Sequence, residues 1–331
     1  MTLGVAVVGA GGMGREHAVN LCRLPGVVVR AVGDPDAGAA ARLADLVGAR
    51  VETDPVVAIT ADDVDAVVIA SPDGTHPDLA VAAIESGRPA LCEKPLADDL
   101  DGARRVARAE VGAGRRLVQV GFMRVFDTPH RQLAAALADL GPVVHLRAVH
   151  VNAPAPTRPV DHVLSQSIIH DVHSTRWLAR SEVAAVSARV VPRPGGLRYV
   201  VVSAELVRGG LATMEFDDAG YGYEVALEVV ARDGRVATAP FDRALVRRDG
   251  VSVQHVGDDW FERFRPAYRA EMEAWARAAA DRTIDGPDVW DGVAAQGVVE
   301  AIARAVRSGA SEVVALPERP DLYGDRPRGG A

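Results

Sequence analysis

The chain has 331 residues, 48% hydrophobic and 25% charged, with a formal net charge of -8. Single cores rarely grow beyond about 250–300 residues, so this length points to two domains of a soluble globular protein. The negative balance argues against a nucleic-acid or anionic-membrane surface, and two cysteines, Cys22 and Cys92, are too few for a disulfide framework and suit a reduced, cytoplasmic setting.

The opening apolar run, "LGVAVVGAGG", is too short to span a membrane and has no basic segment before it. It reads instead as the first of four buried strands: Val5–Gly9, Val27–Gly33, Ala66–Ser71 and Leu117–Gly121. All four are β-branched and nearly continuous, the texture of parallel strands covered on both faces. Helical segments separate them, such as "PDLAVAAIES", with Pro77 near its start and Gly87 just past its end. The alternation predicts a doubly wound parallel sheet, an α/β fold.

The first strand runs into "GAGGMG", which puts Gly9, Gly11 and Gly14 at G-x-G-x-x-G spacing. In a strand-to-helix turn this pattern lets bare backbone and a helix N-terminus approach a pyrophosphate. Asp34 follows Gly14 by twenty residues, at the end of the second strand. A carboxylate there could simply open the turn before the next helix, but with the glycine pattern in place it is read as accepting hydrogen bonds from an adenosine ribose. No basic residue in "DPDAG" would welcome a 2′-phosphate, so NAD is expected over NADP. The strand ending at Ser71 delivers "SPDGTH" to the carboxyl edge of the sheet, where "PALCEKP" also presents Glu93 and Lys94. Lysine and arginine total 37, yet Lys94 is the single lysine. Either it survived by chance, or a compact amine is needed that a planar guanidinium cannot replace.

The glycine turn, the acidic second strand, "P-x-x-T-H" and "EKP", in this order, resemble the glucose–fructose oxidoreductase/inositol dehydrogenase/MocA (Gfo/Idh/MocA) family. The closest flavour is that of inositol 2-dehydrogenases. The resemblance implies an N-terminal Rossmann domain that binds NAD. Gly12, Met13, Ser71, Pro72, Asp73, His76, Glu93 and Lys94 would join Gly9, Gly11, Gly14 and Asp34 at the dinucleotide, with Lys94 also reaching the substrate hydroxyl.

After "VGFMRVFDTPHRQL" the texture changes to alternating stretches, "VVHLRAVHVN", "YVVVSAELV", "LATMEF" and "YEVALEVV", which predict antiparallel strands with one wetter face. The boundary is placed at 1–122 and 123–331, the second part being an α+β domain with a large, mostly antiparallel open-faced sheet. Tyr268, Met272 and Trp275 form one stripe of a helix from Pro266 to about Asp281, read as core packing against the first domain. The tail "PERPDLYGDRPRGGA" reads as an arm or partly disordered segment, and both cysteines as small buried hydrophobes.

The stretch "SQSIIHDVHSTRWL" carries His170 and His173 three residues apart on one helix face. Spacing alone leaves a metal site, a base and a packed helix all open. The resemblance decides: His170 falls on the family's general base, beside the EKP lysine, and no metal is required. Gln166 occupies the place of the carboxylate one turn earlier, and His173 that of a further aspartate. Val125 and Val151 also replace basic residues usual in relatives. These departures leave the reaction class intact and the substrate open among cyclitols, aminocyclitols and sugars. Asp127, His150, Asn152, Gln166, His173, Tyr221 and Tyr223 are carried over as substrate contacts, each equally open to a structural hydrogen bond. The expected activity is NAD-dependent interconversion of a secondary alcohol and a ketone, in a homo-oligomer (dimer or tetramer). A non-catalytic dinucleotide sensor and an NAD-dependent glycoside hydrolase are the competing readings.

Overall fold

The computed structural model describes residues 2–154, 156–220, 222–238, 245–248, 251–254 and 259–324. Among these, no helix is long and apolar enough to cross a membrane. The chain divides into two compact units, one holding residues up to Phe126, Pro266–Gln296 and the segment from Leu316, the other Asp127–Arg265 and Gly297–Ala315.

The first unit alternates strand and helix: β1 (Leu3–Val8), α1 (Gly12–Leu21), β2 (Val27–Gly33), α2 (Ala37–Val47), β3 (Arg50–Glu52), α3 (Pro55–Thr60), β4 (Ala66–Ile69), α4 (His76–Glu85), β5 (Ala90–Cys92), α5 (Leu100–Ala113) and β6 (Val118–Val120). The strands form one six-stranded parallel sheet in the order β3-β2-β1-β4-β5-β6. β1, β4, β5 and β6 are buried throughout, which is why their sequences are apolar without alternation. Aspartates start the helices where orphan N–H groups need acceptors: Asp36 takes Gly38 and Ala39, Asp54 takes Val56 and Val57, and Asp99 takes Gly102. The order reverses between β1 and β4, so the carboxyl ends of these strands form the switch point at which such sheets bind ligands.

The second unit runs α6 (Thr128–Leu137), β7 (Val143–Val151), α7 (Val160–Val163), a π turn (Leu164–Ile168), α8 (Ile169–Ala179), β8 (Val183–Arg193), β9 (Gly196–Leu206), β10 (Leu211–Asp217), β11 (Glu224–Ala231) and β12 (Gly234–Ala237). β13 (Leu245–Arg248) and β14 (Val251–Gln254) pair as a separate two-stranded antiparallel sheet. The main sheet has seven strands in the order β12-β11-β7-β10-β9-β8-β15, where β15 is Glu312–Val313. It is mixed rather than wholly antiparallel, because β7 and β10 pair in parallel. Between them the chain passes through α7 and α8 to β8 and then returns through the antiparallel strands β9 and β10, so the helices supply the crossover that parallel pairing requires. β10 alternates buried and wetter positions, as its sequence predicts.

α9 (Trp260–Ala280) and α10 (Val289–Ser308) follow. From Pro266 on, α9 belongs to the first unit, where Met272 and Trp275 join the core beside Val5, Val7, Leu21 and Leu91. Both side chains are fully buried, and truncating such residues to alanine typically costs about 2–5 kcal/mol. One expectation is corrected. Cys92 is buried but Cys22 is exposed at the solvent end of α1. In the described part of the tail, Tyr323 is fully buried and its hydroxyl donates to the buried Glu110 carboxyl at 2.7 Å.

Candidate active site

In the first unit the glycine turn joins β1 to α1 with two kinds of glycine. Gly9 has φ +98°, and an added Cβ would strike the Ala70 carbonyl, so this position is fixed by close strand contact. Gly14 is buried against Gly9, where a Cβ would strike the Gly9 carbonyl oxygen. Gly11 and Gly12 are exposed, and a Cβ on either would meet nothing within 4 Å. Gly12 opens α1, Met13 follows it half-exposed, and Gly11 is the N-cap without any side-chain cap. This is bare helix N-terminus, with room for an anion where no protein atom needs the space.

Asp34 stands just past β2, and its Oδ2 accepts the Ala10 N–H at 2.8 Å while Oδ1 accepts the Asp36 N–H at 2.9 Å. The carboxylate therefore pins the turn, and it retains lone pairs beside the glycines. After β4, Ser71 and Thr75 share a hydroxyl–hydroxyl bond at 2.7 Å, and Pro72 and Asp73 lie exposed and half-exposed, respectively, between them. His76 is almost wholly buried, with Nδ1 donating to the Pro95 carbonyl at 2.7 Å and Nε2 to the Ser71 carbonyl at 2.8 Å. Two carbonyls can only accept, so both ring nitrogens carry protons. Burial opposes that charge, but the Cys92 sulfur and the two carbonyls push its pKa up to about 10. His76 thus ties the "SPDGTH" segment to the turn that follows Lys94.

Glu93 is buried, and its Oε1 accepts from His17 Nε2 at 2.7 Å. Burial pushes its carboxyl up, but the His17 bond, the Lys94 charge and the Lys94 backbone N–H hold it below the usual carboxylate range. Lys94 is half-buried beside it.

In the second unit α8 is buried from Ile169 to Arg176. It carries His170 (8% exposed) and His173 (1% exposed), with Gln166 half-buried in the π turn before it. Asp171 turns towards β7, where it accepts from His150 Nδ1 at 2.9 Å. With the carboxylate ionised, that bond fixes the His150 tautomer with its proton on Nδ1. The His150 ring also meets Phe216 and Tyr223 edge-on, at centroid distances of 4.8 and 5.5 Å. Asn152 binds the end of β10 through its backbone N–H to Asp217 at 2.8 Å. Asp127 is enclosed: His130 Nδ1 donates to it at 2.5 Å and Arg263 at 2.7 and 3.1 Å. Burial pushes this carboxyl up, yet His130 and Arg263 bring it down to about 2. Tyr221 lies outside the described residues.

The structure thus gathers the proposed dinucleotide residues along one edge of the first sheet. In the second unit it gathers His150, Asp171 and Tyr223. Three functional-looking partners were not found by sequence reasoning. His17 falls three residues after Gly14 on the buried face of α1, a polar residue in an apolar stripe, and that was a usable signal. The Asp171–His150 and Asp127–Arg263 pairs join positions 21 and 136 residues apart, which no local pattern reports.

A profile for an oxidoreductase family with an NAD-binding Rossmann fold matches residues 3–122. The chain is 41% identical to inositol 2-dehydrogenase of Rubrobacter xylanophilus, over 97% of this chain and 96% of that one. It is 42% identical to inositol 2-dehydrogenase 4 of Saccharopolyspora erythraea, over 97% and 98%. Among solved structures it resembles myo-inositol dehydrogenase from Lactobacillus casei in complex with NAD(H) and myo-inositol, with TM-score 0.93 and 27% identity, over 98% of this chain and 100% of that one.

Proposed function

Because the chain belongs to the Gfo/Idh/MocA oxidoreductase family, we propose that this NAD-dependent dehydrogenase oxidises a ring secondary alcohol of an inositol-like cyclitol, with Lys94 and His170 as the hydroxyl-activating pair. The observation that carries the reading is the turn at Gly11 and Gly12: a bare helix N-terminus with open space, flanked by the Asp34 carboxylate and followed on the same sheet edge by Glu93 and the lone lysine. The residues present fit a dinucleotide. The N–H groups of the turn would receive its pyrophosphate, and Asp34 the hydroxyls of its adenosine ribose, which favours NAD over NADP.

When bound, the nicotinamide supplies the hydride acceptor. The chain supplies the rest. Lys94 donates to the reacting hydroxyl and stabilises the developing alkoxide. His170 accepts the hydroxyl proton, a task suited to an imidazole whose ordinary pKa lies near 6.5. His150, held in one tautomer by Asp171, and Tyr223 are proposed to contact the ring, together with Asn152, Gln166 and His173. Because Asp127 is fully engaged by His130 and Arg263, its support for that role is indirect, through the placement of the chain before α6. The protein is proposed to work as a homo-oligomer in the cytoplasm.

The test is NADH absorbance over a panel of cyclitols, aldoses and aminoglycoside fragments. Net NADH formation with one or more cyclitols is expected. Binding of NAD without turnover, or hydrolysis of a glycoside without net NADH, would overturn the reading.

A further inference from the structure

Glu93 uses its two carboxylate oxygens differently. Oε1 accepts from His17 on α1 at 2.7 Å, and Oε2 accepts from the backbone N–H of Lys94 at 3.2 Å. The group bound by the phosphate-turn helix is therefore the same one that fixes the peptide bearing the only lysine. Space is reserved for it: a Cβ on Gly121 would come within 3.1 Å of Oε2 and 3.2 Å of the Glu93 Cα. His17 is wholly buried, its Nδ1 meets no hydrogen-bond partner, and its ring is met edge-on by Tyr268 of α9 at 6.0 Å.

One turn beyond Tyr268, Glu271 is also wholly buried, and neither of its carboxyl oxygens has a hydrogen-bond partner. Burial and the Glu93 charge hold this carboxyl well above the ordinary range. A protonated acid is the form that such surroundings favour, since an unpaired buried carboxylate is far costlier. The ionisable side chains gathered around Glu93 are thus His17 on α1, Cys92 and Lys94 in its own segment, and Glu271 on α9. Tyr268 stands against His17, and His76 holds the Pro95 carbonyl.

We infer that His17 is a positioning residue for Lys94, acting through Glu93: it anchors the carboxylate that holds the Lys94 peptide, and Glu271→Gln serves as the control for a buried neighbour that takes no part in that anchoring. The inference rests on the reading of Lys94 as a catalytic group, but it is tested without turnover. Reductive methylation with ¹³C-formaldehyde marks the amines of the full-length protein. With one lysine in the chain, a single ε-amine resonance reports Lys94, apart from the distinct N-terminal amine. Its pH titration is compared in wild type, His17→Ala, His17→Gln and Glu271→Gln. Releasing Glu93 in His17→Ala should move the Lys94 midpoint down by about one pH unit or more. The glutamine amide can donate from the place of Nε2, so His17→Gln should restore most of that change. Glu271→Gln copies a neutral acid and should leave the midpoint within about 0.3 of wild type. If the alanine variant does not fold, His17→Phe replaces it with the same expectation, since it keeps the ring and loses the donor.

Wild-type titration in both the alanine and phenylalanine variants would overturn the inference. So would a His17→Gln change as large as that of alanine, or a Glu271→Gln midpoint displaced as far. Failure of every cyclitol to yield NADH would refute the proposed reaction and leave this titration readable.

Discussion

Replacing Gly11 with alanine separates cofactor binding from folding. The residue has φ -75° and ψ -167°, a backbone conformation that alanine adopts freely, and its new Cβ would meet nothing within 4 Å. No protein contact is lost, and the reduced freedom of the unfolded chain, about 0.4–1 kcal/mol, offsets alanine's poorer fit at an N-cap, so stability should stay near that of the wild type. The same open space is where a pyrophosphate must close on the backbone. A methyl group there forfeits a charge-assisted N–H···O bond worth about 1.5–3 kcal/mol, roughly a 10- to 150-fold weakening in Kd. Most of the loss should appear as a raised KM for NAD, with kcat at saturating NAD largely kept. Gly14→Ala is the contrasting control, because its Cβ would collide with the Gly9 carbonyl and unsettle the β1–α1 packing. The assays are NADH fluorescence titration and thermal unfolding on both variants. A Gly11→Ala protein with unchanged Tm and a Kd within about threefold of wild type would refute the phosphate assignment.

Lys94→Arg keeps the charge but enlarges and flattens the head, so kcat should fall on the order of 10²-fold or more while NADH titration stays near wild type. His170→Ala should lower kcat by about 10²–10⁴-fold, towards the lower end because Gln166 cannot ionise to support the imidazole. His173→Ala should cost much less, and steady-state kinetics on the two variants side by side check the order. Asp127→Asn tests the buried anchor of α6. Its carboxyl falls from 3.8 to about 2 on folding. At about 1.4 kcal/mol per pH unit, that difference contributes roughly 2 kcal/mol, present above pH 4 and lost as the pH falls from about 4 through 2. Urea unfolding across pH 2–7 should show the variant less stable at neutral pH, with a flatter acid limb.

Much of the first unit was legible because its signals are local. A β-branched run before "GAGGMG" and an acidic end to β2 each report a nearby backbone need. The three-residue strands β3 and β5 were too short for periodicity to register. In the second unit alternation reported β7, β9, β10 and β11 but missed the long β8, and it did not report pairing: β7 and β10 are parallel, and nothing in either strand alone encodes that choice. Asp171 shows the same limit. On the sequence it lies off the His170 face of its helix, and only the placement of β7 reveals that it serves His150. The role of Tyr323 was hidden in a Pro- and Gly-rich tail, whose composition conceals one buried aromatic ring and its bond to Glu110.

The central claim, that Lys94 and His170 act on one hydroxyl as a pair, is most directly tested by a double-mutant cycle on kcat with NAD and an accepted cyclitol. Lys94→Met, His170→Ala and the double variant are compared with wild type. Groups that work as a unit are non-additive, so the double variant should be no slower than the worse single variant by more than about threefold. Losses that multiply in full, or either single variant turning over near the wild-type rate, would contradict it.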